Sequence, residues 1–117
     1  MKIKTRVYSN GQAHVGAGIA LKARLYVSGW HLSYQLKDTR SDPQVKDKVA
    51  ITFVDDVPVS VASLHKGTVM AFTRKSERRK GYGFKTFSAM RLDKMPYHDE
   101  GVEGSWRFWK KAKETIG

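Results

Sequence analysis

The chemistry in this chain concentrates between Arg74 and Gly83, where Arg74, Lys75, Arg78, Arg79 and Lys80 lead into Gly81-Tyr82-Gly83. A short apolar run, Val69 to Phe72, precedes this loop and reads as a strand. Phe84, Phe87, Ala89 and Met90 follow at near-helical spacing. A strand, a glycine-punctuated basic loop and a helix start together suit a pyrophosphate-bearing ligand. The first turn of a helix leaves backbone N–H groups without partners and carries the positive end of the helix dipole. Glycines let that backbone approach phosphate oxygens and adopt torsions that a side chain resists. Arg78, Arg79 and Lys80 would add full charges. The competing reading is a solvated basic turn whose glycines only permit a bend.

The rest of the charge is less focused. Of a formal net charge of +11, residues 74–95 contribute +6 and residues 1–48, spread over twice the length, another +6. Such a field favours polyanions: a phosphorylated cofactor, an acidic protein surface or nucleic acid. The cluster Arg74, Lys75, Arg78, Arg79, Lys80, Lys85 and Arg91, with Tyr82 interleaved, would contact nucleic-acid phosphates without sequence preference, but no nucleic-acid-binding motif accompanies it. With no cysteine, the chain has no disulfide, thiol nucleophile or thiolate metal site, and its four histidines show no metal-ligand spacing. No apolar stretch approaches membrane-span length and the N-terminal residues lack a secretory core, so a cytoplasmic protein without membrane association is expected.

The elements that must position the loop can be placed from periodicity. At 117 residues one domain, 1–117, is expected. Ile3, Thr5 and Val7 alternate with basic residues as in a half-buried strand closed by Asn10-Gly11. Ile19, Ala23, Tyr26 and Trp30 share one helical stripe and Leu32 and Leu36 another, predicting two helices broken near Ser28-Gly29. Asp38 to Pro43 reads as a polar connector. Val49, Ile51 and Phe53, then Val57, Val59 and Val61, alternate around Asp55-Asp56 and predict an antiparallel hairpin. Lys66-Gly67 turns the chain into the strand at Val69. Tyr97 to Gly104 reads as a polar stretch, and Ser105 as the N-cap of a last helix through Trp106, Phe108, Trp109 and Ala112.

The run Arg78-Arg79-Lys80-Gly81-Tyr82-Gly83 resembles the Arg/Gln-x-x-Gly-x-Gly/Ala signature of the Gcn5-related N-acetyltransferases. The hairpin before it and the aromatic helix after it resemble that family over residues 45–117, while residues 1–44 match only in their strand-then-helices order. The resemblance implies an α+β fold: a mixed, mainly antiparallel central sheet with helices on both faces, in a short, divergent form lacking the C-terminal strand pair. It implies acetyl-coenzyme A as cosubstrate and an amine acceptor, with a protein lysine the expected one. Backbone amides of Arg79, Gly81, Gly83 and Phe84 would hold the pyrophosphate, supported by Arg78, Lys80 and Tyr82, while amides near Phe72 and Thr73 would meet the thioester and pantetheine. The family's glutamate base has no counterpart between Val69 and Thr73, and its tyrosine acid is replaced by Phe108-Trp109, whose indole is too weak an acid. His65 is then the substitute base and Tyr97 or His98 the substitute acid, against the plainer readings of capping or surface residues. A catalytically weak binding module docked on an acidic protein surface is the second reading, and a nucleic-acid binder the third. A compact basic member of this kind resembles virus-borne proteins that modify or bind a host protein, which would place it in a host cytoplasm; oligomeric state is left open.

Overall fold

In the computed structural model, which describes residues 1–98 and 105–116, the elements run β1 (Ile3–Tyr8), α1 (Ala13–Lys22), α2 (His31–Ser41), β2 (Lys48–Val54), β3 (Val57–His65), β4 (Thr68–Thr73), α3 (Tyr82–Ala89), β5 (Tyr97–His98) and α4 (Ser105–Ile116), with a single 3₁₀ turn at Lys75–Glu77. The sheet order is β1-β2-β3-β4-β5, antiparallel except for the β4–β5 pair. The β2–β3 hairpin forms where expected. Asp55 and Asp56 both take left-handed torsions, φ 50° and 67°, the conformation of a two-residue turn whose twist matches that of its strands. Aspartate accepts this region more readily than most residues. Lys66 and Gly67 repeat the device between β3 and β4.

Alternation on this hairpin separates two cores. Val49, Ile51 and Val61 face α1 and α2, joined by Met70 and Phe72 from β4. Ala50, Ala62 and Val69 face the other way, against Phe87 and Met90 and against Trp109 and Ala112 of α4. Helices therefore cover both faces of the sheet. The buried face of α1 is made of Ala13, Gly16, Ala17, Ala20 and Leu21, and small residues let it lie close. A Cβ on Gly16 would stand 2.8 Å from the Tyr8 ring and 2.9 Å from Val49 Cβ, closer than such atoms approach.

Five local expectations are corrected. The first helix stops at Lys22 instead of continuing through Ala23 and Tyr26. Arg24 adopts φ 56°, and the N–H groups of Arg24 and Leu25 donate to Leu21 O and Ala20 O, a left-handed helix stop made without glycine. The second helix runs on through residues 38–41 of the supposed connector. Thr39 is buried while Asp38 and Arg40 form the solvated face, and Pro43 keeps Asp42 out of the helical region. The face Ile3-Thr5-Val7 is less covered than expected, with Ile3 and Val7 38% and 39% exposed; β1 is an edge strand and Tyr8, from its other face, packs into the core. Tyr97 and His98, read as part of a polar stretch, form a two-residue strand beside Thr68 and Val69, too short to show alternation. The last helix includes Ser105 itself; residues 99–104 of the polar stretch lie outside the described residues.

Three hydroxyls tie the edge of the sheet to α3. Thr5 Oγ1 lies 2.8 Å from Thr52 Oγ1, which lies 2.6 Å from Thr86 Oγ1, and Thr86 donates to Tyr82 O at 2.6 Å. Each hydroxyl has one proton, and that of Thr86 is committed to the carbonyl. Thr52 must therefore donate to Thr86 and Thr5 to Thr52, so the chain has one direction. Thr86→Val should remove the Thr52–Thr86 and Thr86–Tyr82 hydrogen bonds and turn the Thr52 hydroxyl back to Thr5, lowering stability by about 1–2 kcal/mol in denaturant melts. A melt indistinguishable from the parent would show that the chain contributes nothing.

Candidate functional site

The site begins where β4 ends. Thr73 Oγ1 and Ser60 Oγ are 2.9 Å apart, closing the β3–β4 ladder. Arg74 is then fixed by donating from Nε to Pro58 O at 3.1 Å and from its guanidinium to Ala23 O at 2.9 Å. After the 3₁₀ turn, Arg78 is extended, Arg79 takes φ 66° and Gly81, the residue before α3, takes φ 82°. The two left-handed residues bend the chain sharply between β4 and the first turn of α3, where backbone N–H groups lack helical partners. The N–H groups of Arg79, Lys80, Gly81, Tyr82, Gly83 and Phe84 find no acceptor among the described residues, and the first bond of α3 is Lys85 N–H to Gly81 O.

The two glycines serve different purposes. A Cβ at Gly81 would meet nothing within 4 Å, so glycine is needed there for its torsion alone. At Gly83 a Cβ would stand 3.1 Å from Thr73 Oγ1 and 3.7 Å from Phe108, so glycine there admits the close approach of α3 to β4 and α4. The loop's cations are unequally committed. Arg78 donates from Nε to Thr73 O at 3.0 Å and stacks 5.5 Å from the Phe72 ring centroid. Lys80 reaches Glu77 at 3.0 Å, and that hydrogen bond, reinforced by the carboxylate's charge, holds its ammonium pKa above the ordinary lysine value. Arg79 is exposed and has no side-chain partner among the described residues. Because Arg74, Arg78 and Lys80 already have partners within the protein, less of the basic cluster is open to nucleic-acid phosphates than its sequence suggests.

In front of the loop lies a cleft of about 890 Å³. It gathers Phe72, Thr73, Arg78, Arg79, Gly81, Tyr82, Gly83 and Phe84, all singled out from sequence, while Lys80 stands at the loop's outer side and is not part of the lining. The lining also includes residues that sequence reasoning missed: Val27 and Trp30 from the α1–α2 connection, His31 and Leu32 from the start of α2, Glu77, and Arg107 of α4. Only the helix break at Gly29 hinted at the first group, and nothing local marked His31. β5 pairs with β4 at Thr68 and Val69 alone, so the β5-side edge from Met70 to Thr73 has no strand partner among the described residues.

His65 and Tyr97 are brought together elsewhere. Both line a smaller cavity of about 430 Å³ that shares only His31 and Met70 with the cleft. His65 is buried, its Nδ1–H donates to Asp47 at 2.7 Å, and its buried Nε2 has no partner among the described residues. Asp47 also accepts the Gln44 N–H at 2.8 Å, so this pair pins the chain leading into β2. Tyr97 is 73% exposed. His98 stacks on Trp109, with centroids 4.8 Å apart. Among the described residues no three potential metal ligands cluster, and no helix is long and apolar enough to cross a membrane.

Solved structures share this arrangement of elements. A Gcn5-related N-acetyltransferase from Ralstonia eutropha JMP134 superposes with a TM-score of 0.55 at 11% identity, covering 94% of this chain and 90% of its own. The aminoglycoside N-acetyltransferase AAC(6')-Iy, solved with CoA, gives 0.58 at 17% identity over 99% of this chain and 87% of its own. The fold is that of the Gcn5-related N-acetyltransferases. A ribosomal-protein-alanine N-acetyltransferase from Brucella melitensis biovar Abortus 2308 gives 0.59 at 13% identity, over 94% and 90% of the two chains. No family model and no curated protein matches the sequence. The mainly antiparallel sheet with helices on both faces, expected from the glycine loop and its flanks, is thus the observed Gcn5-related N-acetyltransferase architecture.

Proposed function

We propose that this protein binds acetyl-coenzyme A in the cleft and transfers the acetyl group to an amine. The observation that carries the reading is the row of unpaired N–H groups from Arg79 to Phe84 at the mouth of a cleft continuous with β4. Those donors suit a pyrophosphate, and Arg79 adds a free cation beside them. The unpartnered edge of β4 from Met70 to Thr73 offers backbone groups to the amides of the pantetheine arm. Acetyl-coenzyme A supplies the activated acyl group, a thioester. The chain's own residues must orient the amine, take its proton and keep water out.

Among the described residues His31 is the imidazole that lines the cleft, and its ring nitrogen can accept a proton. We assign it the amine proton. Trp30 and Val27, 47% and 44% exposed at the same lip, give an apolar rest for the stem of the acceptor. That open lip suits a lysine presented by another protein. His65 and Tyr97, in the adjoining cavity, are the alternative proton carriers.

Titration calorimetry with acetyl-coenzyme A, followed by thiol release over a panel of amines, tests the reading. Binding is expected, and its absence at millimolar ligand would sink it. His31→Ala should lower turnover by about 100-fold or more while leaving cofactor affinity nearly unchanged. Loss of turnover in His65→Gln with His31→Ala unaffected would move the base to the Asp47–His65 pair. One observation favours the binding-module reading: β4 carries no carboxylate, and Phe108-Trp109 stands where a tyrosine acid was expected. Tight cofactor binding with no thiol release for any amine would establish that alternative.

A further inference from the structure

At the opposite edge of the sheet from the cleft, β1 offers an open side. Asp55 N–H donates to Lys2 O and Lys2 N–H donates to Asp55 Oδ1, both at 2.8 Å, so Lys2 directs its backbone groups at β2. In an antiparallel ladder this direction alternates. Lys4, Arg6 and Tyr8 therefore also point their N–H and C=O groups inward, and Ile3, Thr5 and Val7 point theirs to the open edge. No described residue pairs with those outward groups. Of the usual protections the edge carries only charge, in Lys2, Lys4 and Arg6: there is no proline, and the β1–β2 register is unbroken, the bulge lying one strand further in.

The side chains define what can pair there. Lys2, Lys4 and Arg6 project from one face and are exposed; Ile3 and Val7 project from the other, 38% and 39% exposed. A second copy of this chain is disfavoured. Antiparallel self-pairing centred on Thr5 would set Lys4 directly opposite Arg6 on both sides of the axis, and like charges in directly opposed positions destabilise a strand pair. The same cations match an extended segment in which acidic and β-branched residues alternate. Its carboxylates would lie beside Lys4 and Arg6 and its apolar side chains beside Ile3 and Val7. We propose that β1 is a docking edge that takes an acidic, extended segment of a partner protein as an added antiparallel strand. Backbone pairing would supply the affinity and alternate side chains the selectivity.

The test uses the full chain and two synthetic peptides, acetyl-Glu-Val-Glu-Val-Glu-Val-amide and its Lys-Val counterpart, followed by backbone amide exchange in NMR. The acidic peptide should slow exchange at Ile3, Thr5 and Val7 and leave Lys4 and Arg6, already in the ladder, unchanged. Binding should weaken as salt rises, because the ion pairs are exposed. Lys4→Glu combined with Arg6→Glu should weaken the acidic peptide at least about 10-fold and favour the basic one. Val7→Pro should remove one outward donor without touching the β2 ladder; if its spectrum shows unfolding, the charge-reversed variant still decides. Equal binding of both peptides, no change at the three amides at millimolar peptide, or protection there in the free chain with the mass of a dimer would each overturn the proposal.

Discussion

Changing Arg79 to Glu and Gly81 to Trp together should lower acetyl-coenzyme A affinity at least about 100-fold while the protein remains folded. The two substitutions act on different terms. Arg79, like Lys75 earlier in the loop, has no side-chain partner among the described residues, and of the two it is Arg79 that lines the cleft. Replacing it by a carboxylate turns an attraction into a repulsion, and near a protein surface two unit charges at 4 Å interact by about 4 kcal/mol. Gly81 holds φ 82°, which costs a side-chain-bearing residue about 1–2 kcal/mol. Nothing lies within 4 Å of a Cβ placed there, so the first side-chain atom meets no clash. The backbone relaxes instead, and the row of N–H groups turns with it. Both positions are exposed, so the thermal midpoint should move by only a few degrees. Calorimetry and circular dichroism separate the two effects. Retained affinity in a folded variant would show that the pyrophosphate lies elsewhere.

Trp109→Ala should be the most damaging single truncation to stability, at about 3–5 kcal/mol. The indole is 4% exposed, sits edge-on to Phe87 at 5.9 Å and to Phe108 at 4.6 Å, and stacks on His98. With Ala112 and Ile116 it forms the one apolar stripe of α4, whose other described positions include Lys110, Lys111, Lys113 and Glu114. Losing the indole removes most of what holds this helix against α3. Because Arg107 and Phe108 line the cleft, cofactor affinity should fall as well. Trp109→Phe should recover much of both. An unchanged melting midpoint for the alanine variant would mean that α4 does not dock through this residue.

What the sequence revealed follows the range of the interactions involved. Asp55-Asp56 and Lys66-Gly67 are turns encoded by their own torsional preferences, and alternating valines on either side leave little choice of register. The glycine loop is equally local: its charges, glycines and helix start lie within ten residues. Other features are not written locally. Arg24 in a left-handed helix stop carries no glycine to announce it. The polar end of α2 is helical because Thr39 is buried against the rest of the fold. His31 reaches the cleft only through the packing of α2 on the sheet. His65 looked like a free imidazole near the signature strand, and its neighbour in space, Asp47, lies 18 positions away.

The hydroxyl chain from Thr5 to Tyr82 also acts on the electrons of the cradle. The Tyr82 carbonyl, which accepts the Thr86 hydroxyl's hydrogen bond, belongs to the same peptide group as the N–H of Gly83. Drawing electron density toward that oxygen leaves the nitrogen's proton more positive, and each upstream donor in an aligned series adds to the polarisation. An edge-strand threonine some eighty positions away in sequence thereby sharpens the Gly83 N–H, a loop donor with no acceptor among the described residues. Substitution of Thr5 or Thr52 would be felt at the cradle as a weaker donor, even where the loop keeps its shape.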